Sequence, residues 1–246
     1  MPKQQINNEF YDDLHDRWIS ASDHPIALLR AENDLRNPWI TSHIEEGASV
    51  LDIGCGAGLF TNDLAIQKAC HITGIDQSLG ALQAAEEFDK TKKVVYKQAN
   101  AEALPFEHGS FDIVCAMDLL EHVENPAKVI AEASRVLKPG GKFFFHTFNR
   151  NLLSNLIIIK AVEKFIANTP KNLHLHSMFI KPKELDATLR SHSLLAKEWK
   201  GIRPVIFQKA WGEVLRSGNV PSDFRFCFVS SLATGYCGFA EKTTLD

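Results

Sequence analysis

The chain has 246 residues, of which 45% are hydrophobic, and a formal charge of -3. That supplies apolar material for one substantial core, and no basic excess marks a nucleic-acid partner. The five cysteines, Cys55, Cys70, Cys115, Cys227 and Cys237, form no C-x-x-C pair, which argues against a zinc site or disulfide framework and for a reducing cytoplasm.

Met1-Pro2-Lys3-Gln4-Gln5 is polar, unlike the apolar region of a secretory leader. No stretch reaches the roughly 18 apolar residues of a membrane span. Residues 8–45 read as two helices rich in charge and aromatics, a lid-like segment. From residue 49, β-branched or aromatic runs at 49–53, 71–75, 93–97, 111–116 and 142–148 alternate with helical stretches at 59–67, 78–88 and 126–137. This alternation predicts an α/β fold, a doubly wound and mostly parallel sheet covered by helices. Ligands of such sheets sit at the carboxyl ends of the strands. One domain is expected, with a lid (1–45), a core (46–150), an insertion (151–180) and C-terminal elements (181–246).

The stretch Val50-Leu51-Asp52-Ile53-Gly54-Cys55-Gly56-Ala57-Gly58 carries an apolar strand into a glycine-rich turn. A second strand ends in Asp76, about 20 residues on, the spacing of an acid that chelates ribose hydroxyls. The third glycine comes one residue early for a dinucleotide fingerprint, and Leu59 takes that position. Asp52 beside the turn would repel a pyrophosphate and welcome a cationic ligand.

The insertion interrupts the alternation at 152–168. Ile158, Val162, Phe165 and Ile166 share one helical face, with Lys160, Glu163, Lys164 and Asn168 opposite. Two readings are open: a cover for the sheet or active site, or a helix dipping into a membrane surface. Pro182 opens another helix. Phe224 to Glu241 is expected to supply final strands, arranged as a hairpin.

The D-x-G-x-G-x-G pattern resembles motif I of class I S-adenosylmethionine-dependent methyltransferases, whose cofactor carries a sulfonium. The strings Met117-Asp118-Leu119-Leu120-Glu121-His122-Val123, Phe148-Asn149-Arg150-Asn151 and Phe179-Ile180-Lys181-Pro182 together resemble the ubiquinone-biosynthesis O-methyltransferases. The resemblance runs from about Phe10 to Lys183. It implies S-adenosylmethionine as cofactor, a small or lipid-tailed phenolic acceptor, membrane contact through 152–168 at the inner face of the cytoplasmic membrane, and membership of a quinone-biosynthesis complex. Position by position it implies cofactor binding by Arg36, Asp52, Gly54, Gly56, Gly58, Asp76, Gln77, Ala101, Glu102 and Met117.

Asp118, Glu121 and His122 are expected on one helical face, where two carboxylates and an imidazole suit a hard ion such as Mg²⁺. The other reading is a helix start with acids for its dipole and a buried histidine. Glu121, His122 and His174 are the candidate catalytic groups. His146 is a further base candidate, standing where the family usually has a small hydroxyl residue, and His176 reads as a surface histidine. Asn149 and Arg150 are expected to shape the substrate mouth. Asp118 stands where the family has glutamate, and Trp18-Ile19 where it has two tryptophans. Rival readings are a C- or N-methyltransferase of another metabolite, and a non-catalytic cofactor-binding subunit.

Overall fold

The computed structural model describes residues 8–244. Eight strands form one sheet: β1 (Ser49–Ile53), β2 (His71–Asp76), β3 (Val95–Gln98), β4 (Phe111–Met117), β5 (Leu137–Phe148), β6 (Leu194–Pro204), β7 (Phe226–Val229) and β8 (Gly235–Lys242). Their order is β3-β2-β1-β4-β5-β8-β6-β7. The first five run parallel. β8 inserts antiparallel between β5 and β6, and β7 lies antiparallel on the far side of β6. The expected terminal hairpin is therefore corrected: β7 and β8 flank β6 and do not pair with each other. β6 separates them, a strand whose charged residues Lys197, Glu198, Lys200 and Arg203 hide its apolar content.

The helices are α1 (Arg17–Ser20), α2 (Ile26–Thr41), α3 (Thr61–Gln67), α4 (Leu79–Phe88), α5 (Pro126–Val136), α6 (Leu152–Ser154), α7 (Val162–Phe165), α8 (Pro182–Ser191) and α9 (Trp211–Ser217). Helix ends follow local chemistry. Ser78 caps α4 by accepting from the Ala81 amide at 3.0 Å, and Pro126 and Pro182 open α5 and α8 where no amide donor is required. The N-terminal lid holds one long helix, α2, instead of two; before it come a single 3-10 turn, Glu9–Asp13, and the one-turn α1.

Period-2 alternation on β5 builds both faces of the core. Phe143 and Phe145 pack with Val129, Ile130 and Ala133 of α5, while Phe144 joins Ile40 and Leu64 on the other face. Each fully buried phenylalanine contributes about 1.5–3 kcal/mol. The insertion forms α6, then a π-helical stretch, Asn155–Ala161, then α7. Among the described residues no helix is long and apolar enough to cross a membrane.

Candidate active site

β1 ends at Ile53, and the chain then turns on Gly54, Gly56 and Gly58, with φ of 74°, 53° and 74°. Side chains there would be strained and would also collide. A Cβ on Gly54 would lie 2.9 Å from Leu119 Cδ1, and one on Gly56 2.9 Å from the Trp18 ring. The turn is held to β2 by Asp76, whose carboxylate accepts from the amides of Gly56 and Ser78, both at 2.9 Å.

A cavity of about 400 Å³ opens over this turn. Arg36, Asp52, Gly54, Gly56, Asp76, Gln77, Ala101 and Met117 of the expected set line it. Gly58 and Glu102 do not. Gly58 packs against Tyr96 and Asn62 beneath the turn, and the Glu102 carboxylate accepts from the Asn125 amide at 3.1 Å and pairs with Lys128. Tyr11 and Trp18, stacked with ring centroids 5.5 Å apart, close the cavity from the lid. Sequence reasoning missed Tyr11.

Burial pushes the Asp52 carboxyl up to about 8, with Asp76 adding repulsion and Arg36 opposing. Burial also raises Asp76, while the amides of Ser78 and Gly56 pull it back. A cavity that destabilises carboxylate charge in this way favours a cationic ligand. The sulfonium and ammonium of S-adenosylmethionine meet that requirement.

A second cavity, of about 330 Å³, is lined almost wholly by apolar side chains, among them Leu28, Phe148, Ile158, Val162, Phe165 and Trp211. The apolar face expected for 152–168 therefore faces inward, into this cavity. Tyr11, Leu29 and Asp118 line both cavities. His122 lines the first and His174 the second, with ring centroids 5.2 Å apart.

The expected metal set is corrected. Asp118 to His122 form a turn after β4, and Asp118 has φ of 54°. The Asp118 carboxylate is taken by Arg36 and His146, while its charge still reaches Glu121 and His122. Glu121 and His122 instead join His174, their donor atoms lying within 4.8 Å of one another. Two imidazoles and one carboxylate suit borderline transition ions better than Mg²⁺, which seeks an octahedron of oxygens. These residues do not fit Mg²⁺.

The electrostatics of this group are set by burial. Neither Glu121 oxygen finds a hydrogen-bond partner, and burial together with Asp118 pushes the group up to about 7. Burial holds His122 down at about 4 and His174 at about 3. Arg36 and His146 hold Asp118 far below the usual carboxylate range, against the opposing effect of burial.

Other candidates lie elsewhere. Asn149 donates to the Leu232 carbonyl at 2.7 Å and Arg150 pairs with Glu184 at 2.6 Å. Both tie loops together and line neither cavity, so they do not shape the mouth as expected. His176 Nε2 lies 2.9 Å from the Asn151 carbonyl.

A family profile described as a methyltransferase domain matches residues 51–145. A ubiquinone biosynthesis O-methyltransferase of Hydrogenovibrio crunogenus is 38% identical over 202 residues, covering 80% of this chain and 82% of that one. Its namesake from Methylococcus capsulatus is 38% identical over 223 residues, covering 89% and 92%. The solved SAM-dependent methyltransferase of Methanosarcina mazei shares the fold, with a TM-score of 0.59 and 24% identity over 85% of this chain and 98% of that one. With the glycine turn and its acid-lined cavity, these likenesses show that the chain belongs to the ubiquinone biosynthesis O-methyltransferase family and is an S-adenosylmethionine-dependent methyltransferase.

Proposed function

We propose that this enzyme methylates a phenolic hydroxyl of a polyprenylated benzenoid in ubiquinone biosynthesis. The observation that carries the reading is the pairing of two cavities at Tyr11, Leu29 and Asp118, one acid-lined and one apolar. The first suits a cationic methyl donor; the second suits an aromatic ring and the start of an isoprenoid tail.

When bound, S-adenosylmethionine supplies an electrophilic methyl on a sulfonium. The chain's residues supply alignment and proton removal. Arg36, Asp52, Gly54, Gly56, Asp76, Gln77, Ala101 and Met117 hold the cofactor. His122 and His174, which line the two cavities, receive the phenol proton, with the buried Glu121 beside them to take it up. The phenolate left by proton removal would take the methyl that the bound donor supplies, with a neutral thioether and a methyl ether as products. Deprotonation is assigned to these side chains, with no step through Mg²⁺.

Acceptors with long tails reside in membranes, and the insertion carries exposed Leu152, Leu153 and Leu156 beside Lys160 and Lys164. We infer peripheral contact with the inner face of the cytoplasmic membrane through this surface; association with other quinone-biosynthesis enzymes fits the same location.

The test is release of S-adenosylhomocysteine from a short-tailed polyprenyl catechol, with and without EDTA. Turnover in both arms is the expected result. Loss of turnover in EDTA would return a metal to the mechanism. Cofactor binding with no turnover on any catechol or quinol would contradict the reading.

A further inference from the structure

The acceptor cavity has a polar end that proton removal by Glu121, His122 and His174 leaves unused. Glu32 and Asp118 are its carboxylates among the described lining residues. Asp118 is fully engaged: Oδ1 accepts from Arg36 Nη1 at 3.1 Å and faces His146 Nδ1, and Oδ2 accepts from Arg36 Nη2. Glu32 is not. Its Oε2 lies 3.5 Å from Arg36 Nη1 and 3.9 Å from His146 Nε2. Among the described residues nothing donates to its Oε1. His146 is wholly buried and its Nε2 has no hydrogen-bond partner, so it turns a positive edge toward Glu32 alone.

Burial raises the Glu32 carboxyl, with His146 and Arg36 opposing and Asp118 adding to the rise, so the site does not favour a full negative charge that would draw an ammonium ligand. A neutral donor fits, and in a mostly apolar cavity a hydroxyl on the bound ring can supply it, taking the place of water at Oε1.

We propose that Glu32 is a specificity-determining residue, its Oε1 accepting a hydrogen bond from a second ring hydroxyl that is not the one methylated. Resting on the phenolic-acceptor reading above, this makes the enzyme selective for dihydroxy rings. Glu32 lines the apolar cavity and not the cofactor cavity, while Asp118 lines both. The bound hydroxyl is thus held in the apolar cavity, which leaves its neighbour on the ring to face the passage at Tyr11, Leu29 and Asp118. His146 and Arg36 are positioning residues: they fix Oε2 and leave Oε1 to the ring.

The experiment measures binding to protein loaded with S-adenosylhomocysteine, so it does not require turnover. The probes are farnesyl catechol and farnesyl phenol, and titration calorimetry gives both Kd values. Wild type should bind the catechol about 10-fold more tightly or better, the scale of a hydrogen bond to a charged acceptor. Glu32→Met should erase that ratio while the affinities for the phenol and for S-adenosylhomocysteine stay within about 3-fold; Glu32→Gln should keep part of it. Equal affinities in wild type, or a ratio that survives in Glu32→Met, would overturn the proposal. So would loss of S-adenosylhomocysteine binding in Glu32→Met, which would make the residue a support for Arg36. Failure of wild type to methylate the catechol would count against the proposed reaction alone, since the binding ratio is read without it.

Discussion

Asp52 lines a cavity that also holds Asp12, Asp76 and Asp118, with its own carboxyl raised to about 8 by burial and Asp76. At pH 7 it is therefore protonated in the empty enzyme, and a cation placed beside it favours the carboxylate. Binding S-adenosylmethionine at that pH should release close to one proton, read from the buffer dependence of the calorimetric enthalpy. Asp52→Asn should abolish the release and weaken binding about 10-fold or more; unchanged release in the variant would remove Asp52 from the cofactor site. Glu121 sets a second expectation. If it accepts the phenol proton it must be ionised, so kcat/KM should rise with pH up to about 7 and then level. His122 and His174, at about 4 and 3, are already neutral there. A limb near 7 that persists in Glu121→Gln would exclude Glu121 as its source. Asp118 is the residue whose loss should cost most in stability. Asp118→Asn strips the buried Arg36 and His146 of their shared carboxylate, a change that costs about 3–5 kcal/mol. Urea unfolding would show it, and a loss under about 1 kcal/mol would mean the cluster is solvated.

At the scale of elements, the glycine turn was legible because its requirements are local: positive φ at Gly54 and Gly56 leaves few alternatives to glycine. The 118–122 segment was not. A helical face had been expected, but the chain leaves β4 through Asp118 at φ of 54° and forms a turn. That reversal gives the Asp118 carboxylate to Arg36, 82 residues away in sequence. No local pattern announces a pairing at that distance. The insertion was legible in its period, since Ile158, Val162, Phe165 and Ile166 do share a face. Its destination was open between two readings: the face turns into the apolar cavity, as a cover for the site does, while Leu152 and Leu156 remain outside, 86% and 62% exposed. These two leucines line neither cavity. Changing both to glutamate should reduce co-sedimentation with anionic liposomes at least several-fold and leave turnover of a short-tailed catechol intact. Undiminished sedimentation would place the membrane contact elsewhere.

At the scale of the molecule, the parallel strands carry the lining of the first cavity on the segments after β1, β2, β3 and β4. The antiparallel addition of β8, β6 and β7 extends the sheet, and Pro204 of β6 and Phe226 of β7, with α2, α9 and the insertion, wall the apolar cavity. The parallel part follows from strand–helix alternation in the sequence. The added part does not, because strands on both sides of β6 are set by long-range pairing and not by adjacent turns. The fold itself is shared with the solved Methanosarcina mazei protein at 24% identity, and a shared fold does not say which atom is methylated. That atom is the central claim. Carbon-13 NMR of the product from a polyprenyl catechol and S-adenosylmethionine labelled at the methyl carbon identifies it directly. A single aryl methyl-ether resonance is the predicted result; a label found on a ring carbon or a nitrogen would contradict the account.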